Sequence, residues 1–407
     1  MENYNKWKRA VDQILTPKEQ KTMIDEDIVL DLLYHKVSHI NQAIPYHEPG
    51  QFPFMRGHTA NLTKPLIIQS IPMREKEVTE ARMKEALEEE VDGIELLLSF
   101  SESQAGKKDG IYKLEELLKV LPLTKTELHI KAGKLQQAFI DLLASLTTED
   151  EKRHIQGAIT ADPFWLFMEE KLTYEQQSQQ YETIAKLIRH SPFTNIRLIG
   201  INTGGYRQLG ANVITEVALA LAIGVEYIEG IARGRIQPSV IGKSMVFSFS
   251  VGSYLSIEIA KIRAFRALWA VVMKEYCAET IAQKAWIEAR ADPLLQVKGD
   301  PHLSIVKVTV SAIAAILSGV QQLSVRPFDE NESNTHLNDR LARHAMMILR
   351  DEAFLHFPID SIGGSYYIES LTEQIAEKAW KRFIGIEQQG GVERARRNGW
   401  LKAYVMM

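Results

Sequence analysis

The sequence predicts an α/β fold, specifically a (β/α)8 barrel of the TIM type. The chain has 407 residues, 45% of them hydrophobic and 25% charged, which is ordinary for a folded domain. That length fits two average domains or one large α/β barrel, a fold that commonly exceeds 250 residues. From about residue 65 onward, short apolar runs alternate with longer amphipathic stretches. This alternation predicts a parallel sheet covered by helices.

Eight apolar runs are the predicted strands, and eight βα units favour a closed barrel over an open sheet. They are PLIIQSI (65–71), GIELLL (93–98), ELHIKA (127–132), GAITA (157–161), IRLIGI (196–201), VEYIEGI (225–231), SMVFSFS (244–250) and QQLSVRP (321–327). Segments with helical periodicity lie between them, at 79–91, 134–146, 179–190 and 214–224.

The connection between the last two predicted strands is long, and we expect two or more helices in it. One is YLSIEIAKIRAFRALWAVVMKEY (254–276), whose apolar residues recur at helical spacing. Further helices are predicted at 337–354 and 370–390. Residues 1–64 are interpreted as an N-terminal arm with one helix and a coil punctuated by proline and glycine. Residues 65–407 form the predicted barrel with its C-terminal helical extension.

Charge and composition exclude several classes of protein. The formal net charge of −4 argues against a nucleic-acid-binding protein, which concentrates lysine and arginine. The N-terminus lacks the apolar core of a signal peptide, and no apolar window is long enough to span a bilayer. We therefore expect a cytoplasmic protein. The single cysteine, Cys277, forms no internal disulfide and is interpreted as a helix thiol.

Three local patterns are candidate sites, but each lacks part of what its chemistry requires. Thr203-Gly204-Gly205 follows a predicted strand, but it lacks the remaining residues of a phosphate-binding loop. His35 and His39 are spaced for one helix face, yet no third metal ligand accompanies them, so no metal site is predicted. Glu169 and Glu170 are adjacent, and adjacent helical side chains point apart.

Longer motifs carry a family resemblance. IEIAKIRAFRALW (257–269) resembles the E-x-AK-x-RA-x-R-x-LW stretch of the coenzyme-B12-dependent acyl-CoA mutases, the methylmalonyl-CoA mutase family. The segment 340–380, from RLARHAMMILRDE to AEKAW, resembles that family's C-terminal motif, and PFMRG (53–57) resembles its P-F-x-R-G entry to the barrel. Shorter similarities are LGA (209–211), after the fifth strand, and GVEYIEG (224–230), at the sixth. The matches keep their order along nearly the whole chain.

The resemblance implies a barrel that threads the coenzyme A arm through its axis. It also implies a second, flavodoxin-like domain that clamps adenosylcobalamin over the carboxyl ends of the strands, with a D-x-H-x-x-G histidine as the cobalt ligand. That motif does not occur here. We therefore expect no cobalamin-binding domain and no cofactor on this chain alone. The ending also leaves a truncation before a further domain open.

The resemblance further implies where catalytic residues should lie. Active members carry a tyrosine on the first strand, a substrate-pairing arginine after the fourth, and after the fifth a histidine that hydrogen-bonds the thioester carbonyl. Aligned motif by motif, these positions are Ile71, Glu170 and Gly205. None retains the chemistry: isoleucine has no phenol, glutamate repels a carboxylate, and glycine has no donor side chain.

Near the eighth strand, some positions match the family pattern and others depart from it. The Ser/His and Asn positions of the family are Ser324 and Arg326, a departure from the pattern. Glu330 matches the family glutamate that contacts the adenosyl ribose, and it is the one cofactor-binding residue predicted here. Arg326 and Arg207 are the available replacements for the missing arginine and histidine.

These substitutions predict a non-catalytic small subunit, which pairs with and stabilises a large B12-dependent subunit that interconverts methylmalonyl-CoA and succinyl-CoA. A corollary is that isoleucine, leucine and phenylalanine fill the barrel axis. The alternative is an active acyl-CoA mutase barrel whose cobalamin domain comes from a separate chain. An unrelated phosphate-binding barrel has little support. A homodimer of the isolated chain and the binding of acyl-CoA are left open.

Overall fold

Eight parallel strands close into a barrel, in which each strand is hydrogen-bonded to the next one along the chain and the last strand closes onto the first. The structure, a computed structural model, describes residues 2–16, 21–24, 28–35, 47–98, 114–168, 173–291, 300–326 and 335–401. The barrel strands are β3 (Leu66–Pro72), β4 (Gly93–Leu97), β5 (Glu127–Lys131), β6 (Gln156–Ala161), β7 (Asn195–Asn202), β8 (Met245–Val251), β9 (Ile287–Ala291) and β10 (Gln322–Val325). The predicted (β/α)8 barrel is confirmed.

Helices surround the barrel and bury the apolar outer faces of its strands. They are α2 (Lys76–Glu88), α3 (Gln136–Leu146), α4 (Glu149–His154), α5 (Pro163–Met168), α6 (Tyr174–His190), α7 (Thr203–Gln208), α8 (Val213–Ala232), α9 (Pro238–Lys243), α10 (Leu255–Tyr276), α11 (Pro301–Leu317), α12 (Thr335–Met347), α13 (Tyr366–Gln388) and α14 (Val392–Arg397). A π-helical turn, Ile348–Glu352, extends α12. Within the described ranges, no helix has the length and apolar character needed to cross a membrane.

One predicted strand is wrong and one strand was missed. Residues 225–231, predicted as the sixth strand, belong to helix α8. Nearly all residues of α8 are buried, so the sequence lacks the polar face that identifies a surface helix. The sixth barrel strand is instead β8, and β9 supplies the seventh. The long helix predicted at 254–276 is confirmed as α10, but β9 follows it before α11.

The first 64 residues contribute a helix, α1 (Glu2–Ile14), and a small antiparallel hairpin of β1 (Lys21–Ile24) and β2 (Ile28–Asp31). Strand β2 lies against α13, where the Gln374 amide bonds the Val29 backbone in both directions at 3.3 Å. The division into an arm and a barrel at residue 65 stays a prediction.

The motifs that carry the family resemblance meet in buried ion pairs. Arg56 of PFMRG donates to Asp360 Oδ2 at 2.6 Å. Arg263 of α10 also pairs with Asp360 and reaches Glu369 Oε1 at 2.6 Å. These motifs therefore tie the arm, α10 and α13 together. Their residues are structural, because a buried charge is tolerated only when it is paired.

Candidate active site at the mouth of the barrel

A cavity of about 370 Å³ opens at the carboxyl ends of the barrel strands. Active sites of (β/α)8 enzymes lie at this face, because the βα loops converge there. Its charged and polar walls come from several different strands, and its apolar wall comes from residues around α5. Lining residues include Glu95, Lys131, Thr160, Asp162, Asn202, Ser248, Glu288, Arg290, Leu98, Trp165 and Leu166.

The barrel lumen below this cavity is polar. Residues paired in register on adjacent parallel strands share a face, and the ring Ser70, Glu95, His129 and Ala158 faces inward. Further inward and buried polar side chains include Ser248, Glu288, Gln322 and Ser324. The expectation that isoleucine, leucine and phenylalanine fill the axis is therefore wrong. That expectation was a corollary of the non-catalytic role, so the polar lumen counts against this role. Most large apolar residues of the strands, such as Ile67 and Ile71, instead face the helices, whereas Ile68 shares the inward face of β3 with Ser70.

An ion pair spans the lumen. Arg290 on β9 donates to Glu95 on β4, with Nη1 to Oε2 at 2.9 Å and a second bond from Nη2 to Oε1. Since β10 and β3 separate these strands in the barrel, the pair crosses the interior. Glu288 also accepts from Arg290 and from Ser324. Burial alone opposes ionisation of Glu95, but the nearby cations Arg290 and Lys131 outweigh it and hold the pKa of Glu95 below its usual value.

Lys131, the last residue of β5, places its ammonium in the mouth. Its Nζ lies 3.4 Å from Ser248 Oγ and 3.9 Å from Glu288 Oε2. The Ser248 hydroxyl in turn donates to Glu288. Lys131 is thus linked to a buried carboxylate through one hydroxyl.

Gly205 lies in the first turn of α7, directly under the indole of Trp165. A Cβ added at Gly205 would lie 2.7 Å from Trp165 Cζ2 and closer still to two other ring atoms. The indole packs edge-on against Tyr206, with ring centroids 5.2 Å apart. The space into which a side chain at position 205 would project is therefore occupied by Trp165.

A buried carboxylate fixes the segment that carries Trp165. Asp162 Oδ1 accepts from the Trp165 backbone N–H at 3.0 Å and from the Tyr227 hydroxyl, while Oδ2 accepts from the Asn202 N–H at 2.7 Å. The Phe164 N–H donates to the Tyr227 hydroxyl at 2.9 Å. Burial raises the pKa of Asp162 although these hydrogen bonds favour its ionised form. The start of α5 is thereby locked to β7 and α8.

The other predicted site positions are dispersed. Ile71 is buried in the apolar cluster that includes Met83 and Ala86 of α2, so its side chain faces the helix layer. Glu170 and Glu330 lie outside the described residues. The assignment of Ile71, Glu170, Gly205 and Glu330 to family positions stays a prediction.

Neither predicted replacement cation is in the mouth wall. Arg207 turns toward Glu258, with 3.7 Å between Nη2 and Oε1. Arg326 follows β10 and contributes favourably to the ionisation of Glu95. The cations that do line the mouth are Arg290 and Lys131.

A second cavity, of about 590 Å³, lies at the amino ends of the strands. It is basic: its walls include Arg197, Lys243 and Lys284. The Arg197 guanidinium stacks 4.0 Å over the Trp286 ring. Desolvation and the neighbouring cations Lys284, Arg266 and Arg197 lower the pKa of His58, also in this wall, to about 4. His129 and Ala158 line both cavities.

Sequence reasoning missed the three residues that define the mouth. Arg290 was missed together with its strand. Lys131 had a detectable signal, since Glu127, His129 and Lys131 alternate on one face of a predicted strand. Trp165 had none, because its contact with Gly205 joins two different βα loops. Within the described ranges, no group of three or more His, Cys, Asp or Glu side chains is placed to hold a metal ion.

Comparison with known proteins gives a consistent result. The family model described as methylmalonyl-CoA mutase matches residues 23–407. The methylmalonyl-CoA mutase small subunit of Porphyromonas gingivalis is 29% identical over 69% of this chain and 46% of that protein. The methylmalonyl-CoA mutase of Cereibacter sphaeroides is 28% identical over 73% of this chain and 43% of that protein. A probable small subunit from Mycobacterium bovis is 25% identical over 84% of this chain and 56% of that protein.

The chain thus spans about half the length of these relatives. The matched region covers the described barrel and the helices that follow it. The order of the motifs, the closed barrel and the family match agree. This chain belongs to the methylmalonyl-CoA mutase family.

Proposed function

We propose that this chain is a non-catalytic subunit of a methylmalonyl-CoA mutase, which pairs with and stabilises a larger subunit that carries out the B12-dependent interconversion of methylmalonyl-CoA and succinyl-CoA. Relatives named as small subunits in Porphyromonas gingivalis and Mycobacterium bovis support this role. Each match spans only about half of the relative, so the activity of the whole assembly is part of the proposal.

The contact between Gly205 and Trp165 carries the proposal. Active members of the family are expected to place a histidine at this position to polarise the thioester carbonyl. Here the position has no side chain, and Trp165 fills the adjoining space. The Arg290–Glu95 ion pair also crosses the lumen, where the family is expected to thread the coenzyme A arm. Both features oppose catalysis by this barrel.

Adenosylcobalamin does not fit the described residues of this chain. The cofactor needs an imidazole for cobalt, and the family motif that supplies it is missing from the sequence. His129, which lines the mouth cavity, is held inside the lumen by Glu127 at 3.0 Å and by Gln322 at 3.4 Å. We therefore assign the cofactor to the partner subunit.

Co-expression with a longer family member that contains D-x-H-x-x-G tests the proposal. We expect a stable one-to-one complex on size exclusion and a higher melting temperature of the partner than when it is alone. A partner whose oligomeric state and melting temperature do not change on addition of this chain would contradict the proposed role.

The second candidate is an active barrel that receives its cobalamin domain from a separate chain. The polar mouth, with Lys131 and Arg290 in its walls, favours it. The basic cavity at the amino ends would suit the phosphates of an acyl-CoA. Mutase turnover with only a cobalamin-binding chain added distinguishes the two candidates, because the structural subunit gives none.

A further inference from the structure

We propose that the Lys131 amine is a covalent acceptor site for small neutral aldehydes, which it binds in the mouth cavity as Schiff bases. Lys131 ends β5 and lines the cavity of about 370 Å³. About 39% of its side chain is accessible to solvent. The amine is therefore reachable by a small molecule, yet it is fixed to a rigid barrel strand.

The neighbours of Lys131 provide a route for its proton. The ammonium donates to Ser248 Oγ at 3.4 Å, and the Ser248 hydroxyl donates to Glu288. A lysine reacts with a carbonyl only as the free amine. Transfer of one proton from Lys131 through the Ser248 hydroxyl to Glu288 leaves a neutral amine and a neutral carboxyl group.

The surroundings also favour the neutral amine. Although solvent reaches part of the side chain, the mouth encloses it. This desolvation and the repulsion from Arg290 lower the pKa of Lys131, and the carboxylates Glu288 and Glu95 only partly oppose them. Arg326 acts in the same direction as Arg290. A larger fraction of Lys131 is thus unprotonated near neutral pH than of an exposed lysine.

The cavity wall indicates the class of ligand. Arg290 is bonded to Glu95 and Glu288, and Asp162 accepts hydrogen bonds from Tyr227 and two backbone N–H groups. The charge of Arg290 is compensated by these carboxylates and the Asp162 oxygens are occupied by hydrogen bonds, so a charged ligand gains little from either group. Leu98, Trp165 and Leu166 form an apolar part of the wall, beside the uncharged polar residues Thr160 and Asn202. A small aldehyde with an apolar chain matches this wall.

The reaction balances without any oxidant or reductant. The Lys131 nitrogen attacks the aldehyde carbon, forming a C–N bond, and the carbonyl oxygen takes up a proton to give a carbinolamine. Loss of this oxygen as water leaves the imine. The net change is one amine and one aldehyde converted to one imine and one water.

Propanal at limiting concentration, trapped with sodium cyanoborohydride at neutral pH, tests the proposal. Peptide mass spectrometry measures propyl-lysine at Lys131 and at Lys381, which is 71% exposed on α13. We expect Lys131 to react faster by on the order of tenfold, because a larger fraction of its amine is unprotonated and the amine is held in a cavity. Equal or slower labelling of Lys131 would overturn the proposal.

Two variants separate the proposed site from general lysine reactivity. Lys131→Arg keeps the positive charge and should abolish the adduct at position 131 without changing the labelling of Lys381. Ser248→Ala keeps the amine and removes the proton route, so labelling of Lys131 should slow several-fold. Unchanged labelling in Ser248→Ala would refute the role of the hydroxyl. Circular dichroism shows whether each variant folds. If a variant does not fold, the comparison of Lys131 with Lys381 in the unmodified chain still decides the proposal.

Discussion

Replacing Gly205 by alanine tests whether Trp165 occupies the space into which a side chain at position 205 would project. Gly205 lies in a helix and has no positive φ, so alanine alone should stabilise α7 by about 0.5–1 kcal/mol. The added Cβ, however, would lie 2.7 Å or less from three indole atoms. Such overpacking costs about 1–3 kcal/mol. The clash should dominate, and we expect a net destabilisation of about 1–2 kcal/mol.

The matched control is Gly385→Ala in α13. That glycine also faces a tryptophan, but an added Cβ would lie 3.7 Å from Trp400 Cη2, an ordinary contact distance. It should stabilise the protein by about 0.5–1 kcal/mol. Urea unfolding followed by circular dichroism measures both variants.

A double-mutant cycle isolates the contact. In a Trp165→Leu background the clash is relieved, so Gly205→Ala should become neutral or stabilising. The coupling energy between the two positions should be about 1–3 kcal/mol. A stabilising effect of Gly205→Ala in the unmodified protein, equal to that of Gly385→Ala, would refute the occupation of this space by Trp165.

Two further predictions follow from buried charges. Arg290→Met leaves Glu95 and Glu288 without their main cation, so it should destabilise the fold by about 3–5 kcal/mol in urea unfolding; a loss under 1 kcal/mol would contradict the lumen ion pair. Burial and neighbouring carboxylates raise the pKa of Glu387 from 4.5 to about 7. Its protonated form is thus favoured in the folded state, and stability should fall as pH rises from about 4.5 to 7. Glu387→Gln should flatten this pH dependence of stability. Glu377 is exposed on the same helix, so Glu377→Gln should leave the dependence unchanged.

Seven of the eight barrel strands were predictable because their apolar runs are short and bounded by helical segments. The one barrel strand that was not predicted is β9. Its sequence is IEARA, and its charged residues Glu288 and Arg290 face the lumen. An apolar-run criterion therefore overlooks it. The prediction failed in the opposite way for part of helix α8, which was taken for a strand. Because this helix is buried on nearly all sides, its sequence lacks an amphipathic pattern.

The site was less predictable than the fold. The absence of a side chain at Gly205 is visible in the sequence, but the packing of the Trp165 indole against it depends on a contact between two βα loops. The polar lumen was also not predicted, although the alternation of Glu127, His129 and Lys131 on one strand face indicates it. A partner across the barrel, as Glu95 is for Arg290, becomes apparent only when the strand order is known.

Mutase turnover tests the non-catalytic role most directly. This chain is mixed with methylmalonyl-CoA, adenosylcobalamin and a family cobalamin-binding domain that carries no barrel, and succinyl-CoA is measured. We predict no product above background, and product only when a complete catalytic large subunit is added. Repeated turnovers with the barrel-free domain alone would contradict the account.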